Sequence, residues 1–235
     1  MTVSNVVDSG LVGYDEEQIK LMEERCILVD ENDVAIGSDS KKNCHLITPT
    51  QEGKLHRAFS VFLFDSQNRL LLQQRSEEKI TFPDYFTNTC CSHPLDLPNE
   101  KIEKDQLGVR LAAQRKLNHE LGIPKESINI ADFKYLTRIH YKANSDEKWV
   151  EHEVDYILIL KGDYELHVNE NEVKSVRYVT EDELNAMFNE ASTPGSNLLL
   201  TPWFKLVCQN FLSKWWKKID NLNEVEEDST IYHMV

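Results

Sequence analysis

The segment Asp105–Leu121 carries the strongest helical signal in the chain, and strand-like runs stand on both sides of it. Leu107, Leu111, Leu117 and Leu121 recur at a 3.6-residue period and share one face. Gly122 supplies a left-handed stop and Pro124 follows it. Upstream, Arg57–Phe64 and Arg69–Arg75 flank Asp65–Asn68 and predict the most apolar hairpin. Downstream, Phe133–Tyr141 and Trp149–Leu160 read as strands joined by the polar Lys142–Lys148 turn, with Val173–Val179 as a further strand. One long helix among strands, with shorter helices at the ends, predicts a mixed α/β sandwich rather than a doubly wound parallel sheet.

The rest of the chain is punctuated by turn chemistry. Tyr14–Glu24 reads as a short amphipathic helix, and Cys26–Asp30 with Val34–Gly37 as a hairpin around Glu31-Asn32-Asp33. Asp39–Gly53 reads as a loop, and Thr81–Pro98, with three prolines, as a long loop holding one short strand; long ordered loops are often functional. Thr180-x-x-Glu183 is a capping box opening a helix through Ala191, and Thr201 caps a last helix with Pro202 at its first position. A single domain over residues 14–220 is expected, with a flexible tail over 1–13 and another over 221–235.

Charge and composition narrow the classes of function. The 26 Lys and Arg against 40 Asp and Glu give −14, which argues against a nucleic-acid binder driven by a positive field, though not against an anionic ligand in a local basic pocket. No apolar run approaches the roughly 20 residues of a membrane span, and the N-terminus carries no secretory pattern. The five cysteines, Cys26, Cys44, Cys90, Cys91 and Cys208, have no framework spacing and predict reduced thiols in the cytosol or a similar compartment.

Candidate chemistry gathers in a few places. On a strand Glu151 and Glu153 face the same way, and two adjacent carboxylates repel unless a cation or shared proton relieves them. A solvated strand face is the bland alternative, but His45, His56 and His93 change the balance: three imidazoles and two carboxylates suit a divalent cation with nitrogen and oxygen ligands. His119, His140, His152, His167 and His233 lack comparable partners and read as structural. Cys90-Cys91 is a vicinal pair unsuited to a disulfide, and a thiol beside a metal-ligating histidine can be activated. Lys41, Lys42, Arg57, Arg75, Lys79, Arg110, Arg115 and Lys116 fall on the same elements and could form a phosphate site, or be ordinary surface charge.

The helix end Arg115-Lys116-Leu117-Asn118-His119-Glu120-Leu121-Gly122-Ile123 has the outline of the Nudix helix, in which Lys116 and His119 replace two metal-binding glutamates. Lys101 and Leu107 stand where that motif has Gly and Glu. Glu120 remains. The blocks Lys41-Lys42-Asn43-Cys44-His45, His56-Arg57-Ala58-Phe59-Ser60, Thr87-Asn88-Thr89-Cys90-Cys91-Ser92-His93-Pro94, Glu151-His152-Glu153 and Thr201-Pro202-Trp203 together resemble the type I isopentenyl diphosphate isomerases, a Nudix-fold branch, from about Glu23 to Trp216. Two departures stand out: Asp84 replaces the usual glycine of a Phe-Pro-Gly turn, and Val150 a glycine before Glu151.

The resemblance implies a Nudix-type α/β/α sandwich that interconverts isopentenyl and dimethylallyl diphosphate, in isoprenoid and sterol precursor synthesis. Metal ligands would be His45, His56, His93, Glu151 and Glu153, for zinc, manganese or magnesium. Cys91 and Glu153 would be catalytic, with Tyr141 assisting proton transfer. Glu120 would hold a magnesium ion on the diphosphate. Lys41, Arg75, Lys79, Ser92 and either Arg115 or Lys116 would contact the diphosphate, and Trp203 would line the hydrocarbon pocket. The chemistry suits these types: protonating an unactivated alkene creates a tertiary cation, which an aromatic face stabilises and water must not reach. The expected order is protonation by Glu153 with Tyr141 and proton removal by Cys91. A small-molecule substrate is expected, with no nucleic acid or membrane partner. The chain would act as a monomer, or alternatively a homodimer, in the cytosol or, as an alternative, in peroxisomes. Two rival readings are a Nudix hydrolase, which needs the missing glutamates, and a metal-bearing module that binds a protein partner without catalysis.

Overall fold

The computed structural model describes residues 10–235, so residues 1–9 of the expected N-terminal tail lie outside the described residues. Along the chain the elements are α1 (Glu16–Leu21), β1 (Arg25–Val29), β2 (Ala35–Ser40), α2 (Lys41–His45), β3 (Ile47–Thr48), β4 (Gln51–Glu52), β5 (His56–Phe64) and β6 (Leu70–Arg75). They continue as β7 (Phe86–Thr87), β8 (Cys90–Ser92), α3 (Leu107–Leu121), β9 (Lys134–Asn144), β10 (Val150–Lys161), β11 (Val173–Val179), α4 (Glu181–Ala191), α5 (Pro202–Val207), α6 (Ser213–Trp216) and β12 (Ile231–His233). The central sheet runs β11-β6-β5-β10-β9-β12 and is mixed: β5 with β10 and β9 with β12 are parallel, the other neighbours antiparallel.

The sheet is buried on both faces, and alternation along each strand divides the core. Phe59, Val61 and Leu63 of β5, with Leu158 and Leu160 of β10, pack against α3 through Ala112, Ala113, Leu117 and Leu121. Phe62 and Phe64, with Ile157 and Ile159, pack on the opposite face against Leu184, Trp203, Phe204 and Trp216 of the C-terminal helices. This is the α/β/α sandwich expected.

The buried face of α3 differs from the leucine stripe read in the sequence. Val109, Ala112, Ala113, Lys116, Leu117, Glu120 and Leu121 are buried, while Leu107 and Leu111 are half-exposed. Small alanines let the helix lie close to the sheet, and the buried face carries a lysine and a glutamate toward the site, so hydrophobicity alone misplaced it. Gly122 adopts φ 65° as the left-handed stop.

Other expectations shift in detail. The Asp39–Gly53 loop holds a helical turn and a two-residue hairpin, and Thr81–Pro98 holds two short strands. The box at Thr180 and Glu183 forms in both directions. Thr201 precedes its helix without capping it; its hydroxyl meets that of Thr87 at 2.8 Å. Both expected tails are partly tied down. Leu11 is buried beside Met22, Ile80 and Trp149, and Ile231–His233 adds a parallel edge strand to β9. Among the described residues no helix is long and apolar enough to cross a membrane.

What positions the site is a fork in the sheet. β5 and β6 pair only at Phe64 and Leu70, then diverge. Into the gap come β7, paired with β6, and β8, paired with β5 so that Cys91 stands opposite Ser60. The Thr89 hydroxyl bridges the fork, donating to the Leu71 carbonyl at 2.6 Å and accepting from the Leu63 amide at 2.8 Å.

Candidate active site

Register alone brings part of the site together. Glu153 of β10 lies opposite His56 on its parallel neighbour β5 and opposite Tyr141 on its antiparallel neighbour β9. α2, opened by the Ser40 side chain accepting from the Asn43 amide, supplies His45, and the residue after β8 supplies His93. His45, His56, His93, Glu151 and Glu153 are all buried, and one ligand atom from each lies within 4.8 Å of all the others.

The hydrogen bonds fix how these imidazoles face. His45 Nδ1 lies 2.7 Å from the Lys41 carbonyl oxygen and His56 Nδ1 2.7 Å from that of Lys54. A carbonyl only accepts, so each Nδ1 carries a proton and each Nε2 turns inward. There His45 Nε2 sits 2.7 Å from Glu151 Oε2, and neither atom has a hydrogen-bond partner. His56 Nε2 lies 3.5 Å and His93 Nε2 2.7 Å from Glu153 Oε1.

Burial opposes a charged His56, but the hydrogen-bonded Glu153 carboxylate outweighs it and pushes the imidazole up to about 9. Burial and then the two neighbouring imidazoles hold His93 well below the usual range. Burial raises both carboxylates, yet the imidazoles win and hold Glu151 and Glu153 below theirs. Lone pairs converging on one buried point are relieved by protons or by a divalent cation, and only a cation satisfies all five donors together. The donor set and its backbone-held tautomers fit such an ion.

Beside this cluster opens a narrow pocket of about 30 Å³. Lys41, Arg75, Lys79, Ser92 and Thr81 form a basic, hydroxyl-bearing part of its wall, with Cys91, Tyr141, Glu153, Glu120 and Trp203 around the remainder. The Cys91 thiol is pushed up to about 12, by burial first, against the Arg75 guanidinium whose Nη1 lies 3.7 Å from its Sγ. Tyr141 donates its hydroxyl to Glu153 Oε2 at 2.5 Å. Lys79 is pulled down to about 8 by burial, although it pairs with Glu172 at 2.8 Å. The Arg75 guanidinium donates to the Thr81 and Phe82 carbonyls and lies 5.7 Å from the Trp203 ring centre.

Neither Arg115 nor Lys116, the alternatives expected at the diphosphate, is in this wall. Arg115 turns to Glu100, at 2.7 Å, and to the His93 carbonyl, at 3.1 Å, so it braces the His93 loop. Lys116 stands behind the wall, 3.2 Å from Glu120 and 3.3 Å from Glu172. Glu120 does reach the pocket, but Gln73 donates to its Oε2 at 2.9 Å and Lys116 pairs with its Oε1.

Three participants went unread in the sequence. Asp155 lies two residues beyond Glu153 on the same strand face, and Ser60 donates to it at 2.8 Å; the period-two argument applied to Glu151 and Glu153 extends to it. Glu172 and Thr81 come from irregular segments that offer no periodic signal.

Comparison with known proteins accounts for this combination. A NUDIX domain family matches residues 54–201. The chain is 54% identical to isopentenyl-diphosphate Delta-isomerase 1 of Bos taurus, across 94% of this chain and 96% of that protein. It is 53% identical to isopentenyl-diphosphate delta-isomerase of Schizosaccharomyces pombe, across 94% of each. The chain belongs to the isopentenyl-diphosphate delta-isomerase family. The fold of this Nudix-type isomerase is shared by DR0079 from Deinococcus radiodurans, with a TM-score of 0.53 at 18% identity, covering 80% of this chain and 100% of that one. In the isomerase, α3 keeps the Nudix outline with one carboxylate in the pocket, and Lys116 meets His119 Nδ1 at 3.1 Å where the hydrolase motif has two glutamates.

The departure at Asp84 also has a structural answer. Asp84 adopts φ 65°, the left-handed conformation that glycine favours and aspartate tolerates. Its carboxylate then pairs with Lys174 of β11 at 2.5 Å.

Proposed function

We propose that this isomerase interconverts isopentenyl and dimethylallyl diphosphate by adding a proton at one carbon and removing one from another. The observation that carries the reading is the pairing, in one pocket wall, of the Cys91 thiol with a buried carboxylate, Glu153, held by Tyr141. Allylic isomerisation needs one proton donor and one proton acceptor of different acidity, and nothing else covalent. Lys41, Arg75, Lys79 and Ser92 bind the diphosphate. Glu120 is the carboxylate available to a magnesium ion carried by the diphosphate.

His45, His56, His93, Glu151 and Glu153 hold a divalent cation, zinc, manganese or magnesium. When bound it supplies fixed positive charge that orients Glu153 and sets its acidity. The protein residues do the rest. Tyr141 donates to Glu153 and keeps its second oxygen in place. Trp203 presents an aromatic wall to the cation formed on the hydrocarbon, and its burial against Phe82 and Tyr141 excludes water from that side.

Burial favours the protonated form of the Cys91 thiol, and the neighbouring imidazoles favour the ionised form of Glu153. That arrangement starts the reaction toward isopentenyl diphosphate directly. The opposite direction, with Glu153 and Tyr141 delivering the proton and Cys91 accepting one, starts after a proton has passed from thiol to carboxylate. All five cysteines are free thiols, which suits the reducing cytosol in which we place the enzyme, acting as a monomer.

Incubation with isopentenyl diphosphate and magnesium in deuterated water tests the reading by NMR. Deuterium entering the product methyl, lost in Cys91→Ser, is expected. Folded, metal-loaded protein that neither exchanges nor isomerises would overturn it in favour of a binding module, and released phosphate would favour a hydrolase.

A further inference from the structure

Asn88 lies in the fork of the sheet, fully buried, with no atom in the pocket wall. All four of its amide hydrogen-bonding positions are used. Its Nδ2 lies 3.1 Å from the Val61 carbonyl oxygen and 2.9 Å from that of Cys90. Both are acceptors, so the amide orientation is fixed by its neighbours. Its Oδ1 accepts from the Thr87 hydroxyl at 2.9 Å and from the Trp203 indole Nε1 at 3.1 Å.

The two ends of this amide serve different walls of the pocket. The Cys90 carbonyl belongs to the peptide bond that leads into Cys91. The indole belongs to the aromatic wall on the other side. A parallel stitch runs beside it: the Thr87 and Thr201 hydroxyls meet at 2.8 Å, and the Thr201 amide donates to the Phe86 carbonyl at 3.0 Å. That stitch fixes the backbone before Trp203, whereas the Asn88 bond fixes the rotation of the indole itself.

We infer that Asn88 is a positioning residue of the isomerase, joining the Trp203 ring and the Cys91 strand into one hydrogen-bonded unit. The inference rests on the isomerase reading above. A chain without Asn88 takes the acceptor from the buried indole N–H and a donor from each of the Val61 and Cys90 carbonyls, and the ring is free to rotate away from the reacting carbons. The substrate diphosphate is held by other residues, so the effect falls on turnover rather than binding.

The test is a set of variants of the metal-loaded full chain: Asn88→Leu, Trp203→Phe and the double variant, each checked for fold by near-UV circular dichroism. Asn88→Leu is expected to lose about tenfold or more in kcat with KM within about twofold. It should also release some tertiary alcohol, formed when water adds to the exposed cation and gives its proton to solvent. In the Trp203→Phe background, where no indole N–H needs a partner, the loss caused by Asn88→Leu should shrink several-fold.

An equal loss in both backgrounds would overturn the coupling, and unchanged kcat in folded Asn88→Leu would overturn the role. If Asn88→Leu does not fold, Trp203→3-benzothienylalanine decides, since it keeps the bicyclic ring and lacks the N–H: wild-type kcat there overturns the proposal, and a kcat loss with alcohol release supports it. Wild-type protein that does not isomerise would refute the functional reading instead.

Discussion

Glu151 Oε2 and His45 Nε2 lie 2.7 Å apart, and neither is hydrogen-bonded. His45 turns its Nδ1 to the Lys41 carbonyl, so its Nε2 and the carboxylate oxygen meet in a buried space. The contact makes sense as two corners of a coordination sphere. Stripping divalent ions with a chelator is therefore expected to abolish isomerase activity and lower the melting temperature by about 10 °C, from a loss of about 4 kcal/mol when the ion is held about a thousandfold above its Kd. Re-addition of zinc, manganese and magnesium in separate arms, read by thermal shift and turnover, checks this. Chelation that leaves both unchanged would refute the metal site.

Cys91 makes a prediction about pH. Burial, with Glu120 and Glu153 nearby, holds its thiol near 12 despite Arg75. Only the thiolate attacks an alkylating agent. Cys91 should therefore react with iodoacetamide far more slowly than free cysteine at pH 7, with a rate still climbing above pH 9. Mass mapping of the labelled peptide across pH gives the curve. A plateau below pH 8 would show an activated thiolate instead. Turnover by Cys91→Ala should fall at least about a thousandfold, with KM little changed.

Arg115 and Lys79 separate two kinds of basic residue. Lys79 lines the pocket, and Arg115 is committed to Glu100 and the His93 carbonyl. Lys79→Ala should raise KM for the diphosphate about tenfold or more. Arg115→Ala leaves the buried Glu100 carboxylate without its charged partner, and about 1–3 kcal/mol of stability should go with it, while KM stays within a few-fold. Steady-state kinetics and urea titration of both variants test the contrast. A large KM effect in Arg115→Ala would return it to the diphosphate site.

The sequence was legible where one physical rule acts alone. Period two put Glu151 and Glu153 on one face, and the structure places them together with the three expected histidines. Gly122 as a helix stop and the Thr180–Glu183 box are local chemistry and form as read. What stayed hidden depends on long-range pairing. Nothing within Cys90-Cys91-Ser92 says that it enters a fork between β5 and β6, and nothing around Arg115 says that Glu100 will claim it. The leucine stripe failed on α3 for a related reason: Lys116 and Glu120 are buried because the site needs them there, against their hydropathy.

The histidines set aside as structural predict how acid loosens the C-terminal strand. His140 Nε2 meets His152 Nε2 at 3.1 Å, and His140 Nδ1 meets His233 Nδ1 at 3.0 Å, so three imidazoles form a ladder across β10, β9 and β12. A neutral ladder needs one proton per contact, and extra protons set N–H against N–H. Burial, then His140, lowers His152 from 6.5 to about 4, and burial, then His233, lowers His140. A histidine whose folded value is depressed contributes stability that is present above its unfolded value and is lost as pH falls through the folded one. Melting temperature of the metal-saturated protein should therefore drop between about pH 6.5 and pH 4, and amide exchange at Ile231–His233 should rise before the central strands open. His152→Gln should show a shallower slope, since it removes one titrating ring. Parallel slopes for wild type and His152→Gln would assign the acid sensitivity to the metal ligands, where protons compete with the ion, and not to the ladder.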